Sequence, residues 1–178
     1  MIREFSSKAK PSNANARILF IVTLVFAAAF IMISMLIDEY RGVVSLVGTA
    51  FIVVAVTLYT RYVGSEYYYE VVCDSEQNWL FVVRQATGKR QSTLCRIALK
   101  DIVKIECESA KERQSHKTEA GFVKYSYLPT LYPTKSYRII ASNIYEKAEI
   151  LIEVSDEFAS FLRIYANEAR EIASFDAE

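Results

Sequence analysis

A chain of 178 residues with 21 acidic and 21 basic side chains has no net charge to draw it to nucleic acid. Its composition is 52 % hydrophobic and 24 % charged, which excludes a disordered chain, and its length leaves room for one modest domain beside any membrane segment. Cys73, Cys95 and Cys107 are odd in number, share no Cys-x-x-Cys spacing and lie in apolar strand-like runs, so they read as reduced, buried thiols and not as a disulfide framework or metal site.

Residues 1–17 hold Pro11, several Ser and Asn, and Arg3, Lys8, Lys10 and Arg17 against Glu4, a net of +3. With little apolar periodicity, this stretch reads as a flexible cytoplasmic tail whose bases set topology or touch anionic headgroups. From Ile18 to Ile37 run twenty uncharged residues, thirteen of them Ile, Leu, Val or Phe. Twenty residues of helix reach about 30 Å, the thickness of a bilayer's hydrocarbon core. After Asp38-Glu39-Tyr40-Arg41, a second uncharged stretch runs from Gly42 to Thr60, with ten such residues diluted by Ser45, Gly48, Thr49, Thr57 and Thr60. Backbone in lipid must satisfy its own hydrogen bonds, so each run is expected as one helix, and so short a linker makes them an antiparallel hairpin. Ser45, Gly48 and Thr49 are small enough for close backbone approach, with hydroxyls available to bond across helices.

The first run exceeds a signal-peptide core of about 7–15 residues and is read as retained. Neither the Met-Ile start nor the Phe-Asp-Ala-Glu end matches a lipidation signal. Four bases precede the first span, one sits in the loop and Arg61 follows the second, which places both termini in the cytoplasm by the positive-inside tendency. Tyr40, Tyr59 and Tyr62 fit interfacial anchors.

Beyond Gly64 the pattern turns to short β-type runs, in a region with 15 basic and 18 acidic side chains. Strands are expected at Tyr67–Cys73, Trp79–Arg84, Ser92–Ile97, Ile102–Cys107, Phe122–Tyr127, Tyr137–Ala141 and Ala148–Val154. Gly88 marks a tight turn, Ser109–Gly121 a polar mobile loop, and Pro129 and Pro133 a segment that cannot be interior strand. Ser155 is a good N-cap, and Asp156 and Glu157 suit the first turn of a helix. Phe158, Phe161, Leu162, Tyr165, Ala166, Ala169, Ile172 and Ala173 then form one apolar stripe, so that helix is expected to pack on the sheet.

Seven antiparallel strands closed by a C-terminal amphipathic helix fit a pleckstrin-homology-like (PH-like) barrel from about Ser65 to Ser174. A split barrel or an open sheet with one helix shares that order. With the preceding hairpin and the closing AEILIEVS-DEFASFLRIYANEA run, the chain resembles, over nearly its whole length, the bacterial PH-like membrane proteins of the YcxB-like and YdbT-like kind. The resemblance implies a transmembrane hairpin carrying a small cytoplasmic β-domain. Phosphoinositide-binding members of the fold place several Lys and Arg between their first two strands. Here that hairpin is Asp74-Ser75-Glu76-Gln77-Asn78, with two acids and no base, so headgroup binding does not carry over.

Chemistry is sparse. His116, the single histidine, reads as a solvated loop residue, and Glu106 and Glu108 as an exposed strand face. No nucleophile elbow, zinc motif, phosphate loop or dinucleotide fingerprint occurs, so no catalytic residue, cofactor or metal is expected. Lys89 and Arg90 at a turn tip, and Leu128, Leu131 and Tyr132 in the Tyr125–Tyr137 segment, are the candidate contacts with a partner or with the membrane. The expected function is that of a non-enzymatic membrane protein presenting an interaction or adaptor domain to a protein partner. The alternative is a membrane-lipid or envelope-state sensor whose domain touches the inner leaflet.

Overall fold

The computed structural model describes residues 2–9, 14–74, 78–116, 118, 121–143 and 147–175, and it divides into two compact units. The first spans residues 11–65 and is a helical hairpin: α1 (Ala14–Leu36), a short linker, and α2 (Arg41–Leu58), which ends in a π-turn over Tyr59–Val63. Phe20 faces Tyr59, Phe26 and Phe30 both stack on Phe51, and Gly48 sits against Ala27 and Ile31. Contacts that climb one helix while descending the other define an antiparallel pair. A Cβ on Gly48 would stand 3.0 Å from the Ile31 side chain, so the close approach depends on the missing side chain. The hydroxyls of Thr23, Thr49 and Thr57 donate to carbonyls four residues back in their own helices and not across the pair. Both helices are long and apolar enough to cross a bilayer. Most of their large side chains stay exposed, Val25, Met32, Val43 and Leu46 among them, so the hairpin is not a buried core element of this chain.

The second unit joins the first ten residues to those from Glu66 onward. Here the expectation of a flexible tail is corrected: Ile2–Lys8 is a strand, β1, paired antiparallel with β2 (Ser65–Cys73) on the far side of the hairpin in sequence. Residues 10–13 of that stretch lie outside the described residues. β3 (Trp79–Thr87) and β4 (Arg90–Ala98) complete a four-stranded sheet of order β1-β2-β3-β4. A two-residue turn joins β3 to β4, with Gly88 at φ +61°, a conformation that costs other residues about 1–2 kcal/mol.

A single 3₁₀ turn, Leu99–Asp101, leads into the second sheet. Its strands are β5 (Ile102–Ser109), β6 (Phe122–Ser126), β7 (Lys135–Ser142) and β8 (Lys147–Ile152), in the order β5-β7-β8-β6. The β6–β8 pair is parallel. The described residues thus form eight strands, not seven, and not all pairs are antiparallel. The expected loop after Ser109 contains a short helix, α3 (Ala110–Ser115), closed by a capping box in which Ser109 and Glu112 satisfy each other's main-chain N–H groups.

α4 (Asp156–Phe175) starts as expected, with the Ser155 hydroxyl accepting from the Phe158 N–H at 3.2 Å. Phe158, Leu162 and Ala166 bury one face of it against Tyr69, Phe81, Leu99, Ile102, Ile139, Ile150 and Ile152 from both sheets. Phe161 and Ile172 leave the buried stripe and are exposed at its border. Phe5 of β1 stacks on Phe161 with ring centroids 4.7 Å apart and lies 5.3 Å from Phe158, so the strand before the hairpin is part of the domain's aromatic packing.

Candidate functional site

The two sheets have four outer strands, and their surroundings differ. Along β5, Arg163 of α4 donates through Nε and Nη2 to the Ile105 carbonyl at 3.2 and 2.9 Å, and Arg170 donates to the Val103 carbonyl at 3.3 Å. Two guanidinium groups therefore cap that edge, as edges open to foreign strands often are. β4 and β6 instead border one cleft of about 280 Å³. One wall is Leu94–Ala98 of β4. Tyr125 of β6 and the following Tyr127 form the other, and Ala141, Ala148 and Ile150 of β7 and β8 line the base.

Register explains the cleft. Tyr125 is level with Ile150, which pairs with Ile139 and, through it, Ile105, so Tyr125 continues the core face out to the edge of the sheet. Ala141 pairs with Ala148 on that same face, and two methyl groups cannot fill the space that larger side chains fill elsewhere. The Tyr125 and Tyr127 rings are stacked, 6.3 Å apart and 3° from parallel. The Tyr127 hydroxyl donates to the carbonyl of Leu94 at 3.4 Å, Leu94 being the extra residue of a β4 bulge between Thr93 opposite Arg84 and Cys95 opposite Val83.

Tyr127 is held from behind. Its carbonyl accepts from the fully buried Tyr69 hydroxyl at 2.7 Å, and its N–H donates to the Leu151 carbonyl at 2.9 Å. Burial pushes the Tyr69 phenol above its ordinary titration range. Glu153 accepts from the Thr130 N–H and hydroxyl, and Arg113 of α3 donates to the Pro133 carbonyl and the Ser136 hydroxyl. Asp101, at the edge of the cleft, has its carboxyl pushed up by desolvation, partly offset by Lys100.

These bonds decide the fate of the expected contact residues. Leu128, Pro129 and Pro133 are buried and Leu131 is half-buried, while Tyr132 is 68 % exposed. Leu128 is therefore corrected from a surface contact to a packing residue. Lys89 and Arg90 are exposed at the β3–β4 turn of the first sheet, whereas Tyr132 lies in the connection between β6 and β7 of the second. Most of the acidic Asp74–Asn78 hairpin, residues 75–77, lies outside the described residues.

Three further readings change. Glu108 is buried in an ion pair with Arg138, and Glu106 pairs with Lys104 at 2.5 Å while lying 3.8 Å from the same guanidinium. Salt-bridging to Lys104 holds the Glu106 carboxyl below its usual range. His116 is half-buried, its Nε2 3.3 Å from buried Glu149. Arg113 and His116 bring the 109–116 segment over part of the outer face of the second sheet, where Glu108 and Glu149 are buried while Lys104 stays exposed. None of the three thiols is in a disulfide; Cys73 and Cys95 are half-buried and Cys107 is exposed. Among the described residues no three His, Cys, Asp or Glu side chains gather as a metal site.

No protein-family model, curated protein or solved structure matches this chain.

Proposed function

We propose that this chain is a non-enzymatic integral membrane protein whose hairpin anchors a PH-like domain used as an interaction or adaptor module at the cell membrane, with both termini in the cytoplasm. The observation that carries the reading is the insertion of an exposed apolar hairpin between two paired strands of one folded domain. A domain entered and left through the same membrane anchor is held at the bilayer, which raises the effective concentration of a weak contact made there. Two sheets closed by a C-terminal helix on one shared core support the PH-like assignment, with the hairpin between its first and second strands and β6 as an added strand. The positive N-terminal segment and Arg61 favour the cytoplasmic side. Leu128 is buried, which leaves Tyr125 and Tyr132 as the exposed large apolar side chains of the Tyr125–Tyr137 segment for an inner-leaflet sensor to use.

In-cell crosslinking of the full-length chain, compared with a chain ending at residue 63, tests this. A protein recovered with the full-length chain alone supports the adaptor. Recovery of lipid adducts and no protein would favour the sensor instead.

A further inference from the structure

At the β3–β4 turn two basic side chains stand together without partners, and we propose that Lys89 and Arg90 bind anionic lipid headgroups of the membrane that anchors the chain. This rests on the membrane-anchor part of the preceding reading and names a ligand which that reading leaves unassigned. Residues 64–178 hold 15 basic and 18 acidic side chains, yet β3, its turn and β4 carry Arg84, Lys89, Arg90 and Arg96 and no acidic residue. Arg84 faces the buried Glu70 at 3.4 Å. Thr87, Gly88, Lys89 and Arg90 are all exposed, and among the described residues no group pairs with the Lys89 or Arg90 side chain. Several other cations of the domain are engaged: Arg163 and Arg170 by β5 carbonyls, and Lys8, Lys104 and Lys135 by Glu66, Glu106 and Asp156.

Register places the turn at the end of the sheet from which the hairpin departs. β2 and β3 are nine residues each, and just beyond Cys73 and Trp79 the Asp74 N–H donates to the Asn78 carbonyl at 2.9 Å. So short a connection joins antiparallel neighbours, so at the other end Ser65 falls about level with Thr87. β1 ends there too, with Lys8 opposite Tyr68 and the Ala9 N–H on the Tyr67 carbonyl. Gly64 alone separates Ser65 from the last residue of the second apolar helix, Val63, a reach of at most about 7 Å. The turn is two strand spacings, roughly 10 Å, further across the sheet. Chain reach thus ties it close to the helix end at any angle of the domain. The connection at the opposite end carries Asp74 and Glu76 and no base, so the first sheet is basic where it is tethered and acidic where it is not. An acidic protein segment would meet the same two charges, but two long side chains on an exposed turn set no register for it. Headgroups need none, and they are densely supplied at a membrane surface.

The test attaches a fluorophore to Gln91→Cys, exposed beside the turn, in full-length chain with Cys73, Cys95 and Cys107 replaced. The chain is placed in nanodiscs that contain a trace of headgroup-spin-labelled lipid as quencher. Discs of phosphatidylcholine alone are compared with discs about one quarter phosphatidylglycerol, which supplies the negative surface potential. Quenching should be stronger in the anionic discs. The ratio of docked to undocked turn should fall about fivefold for Lys89→Gln or Arg90→Gln, as for one basic residue lost near an anionic surface. Raising the salt from about 0.1 M to about 1 M should abolish the difference with both bases in place, a readout that needs no substitution at the turn. Equal quenching in the two kinds of disc overturns the inference, as does an anionic gain that survives in the Lys89→Gln/Arg90→Gln double variant. Slowed amide exchange at residues 86–91 on adding inorganic phosphate or polyglutamate to phosphatidylcholine discs also overturns it, and assigns the turn to a soluble anion or an acidic protein. A chain that does not enter discs defeats the anchor reading and this one together; a chain that enters and ignores lipid charge defeats this one alone.

Discussion

Phe158 and Phe161 lie three positions apart on α4 and carry the same side chain, yet the fold uses them differently. Phe158 is 1 % exposed, packed among Tyr69, Ile139 and Ile152, whereas Phe161 is 37 % exposed and stacks on Phe5 and Tyr165 at the border. Phe158→Ala should cost about 3–5 kcal/mol, the range for a fully buried ring, and Phe161→Ala well under that. Urea unfolding of the full chain in detergent, followed by pulse proteolysis, separates the two; equal losses would mean that the ring stack with Phe5 matters as much as the core. Asp156 offers a pH signature at the start of the same helix. Its Oδ1 accepts from Lys135 and from the Tyr137 hydroxyl, each at 2.5 Å, and these bonds hold the carboxyl below its usual range. A carboxyl depressed on folding contributes stability above its unfolded value of about 3.9 and loses it as the pH falls through the lower folded value. The urea midpoint of the wild type should therefore drop below about pH 4 by more than that of Asp156→Asn, which has no such group to protonate.

Among the elements, those with a local signal were legible and those built from distant contacts were not. The seven expected strands and α4 stand where alternation and the Ser155 cap put them. β1 was hidden because a bulge between Arg3 and Phe5 breaks its two-residue period and turns Phe5 to the core, so IREFSSK shows no alternation. α3 announced itself only through Ser109 and Glu112. Five polar residues and one alanine leave no apolar stripe, and the anchor that matters is Arg113 reaching Pro133 and Ser136. The cleft was illegible for the same reason: Leu94 and Tyr127 meet across two sheet borders, which no spacing in the sequence encodes. In the hairpin the useful local signal was Gly48. Replacing it with Leu puts a branched side chain where a bare Cβ would already stand 3.0 Å from Ile31, so α1 and α2 should part there. Cysteines at Phe30 and Phe51, whose rings are 5.6 Å apart, report this in a background with Cys73, Cys95 and Cys107 replaced. Disulfide yield should fall with Gly48→Leu and hold with Gly48→Ser; equal yields would place the close approach elsewhere.

For the whole molecule, the decisive fact is that the chain leaves a domain, runs through an apolar hairpin and returns to the same domain. Ser6 pairs with Glu70 and Lys8 with Tyr68, one partner on each side of the hairpin in sequence. Two strands cannot exchange hydrogen bonds across a bilayer, so a spanning hairpin must have both its ends on one side, whatever the balance of basic residues. Charge then chooses which side, and the +3 of residues 1–17 favours the cytoplasm. Single cysteines at Ser6, Glu39 and Ser174, all exposed positions, turn this into a measurement with a membrane-impermeant maleimide on sealed right-side-out membranes. Glu39→Cys should label at once, and Ser6→Cys and Ser174→Cys only after the membranes are opened. Ser6 and Ser174 labelling from opposite sides would break the β1–β2 pairing and with it the domain described here. Protection of all three until lysis would mean that the hairpin does not cross, and its exposed Ile, Val and Phe side chains would then need a protein surface, not lipid, to cover them.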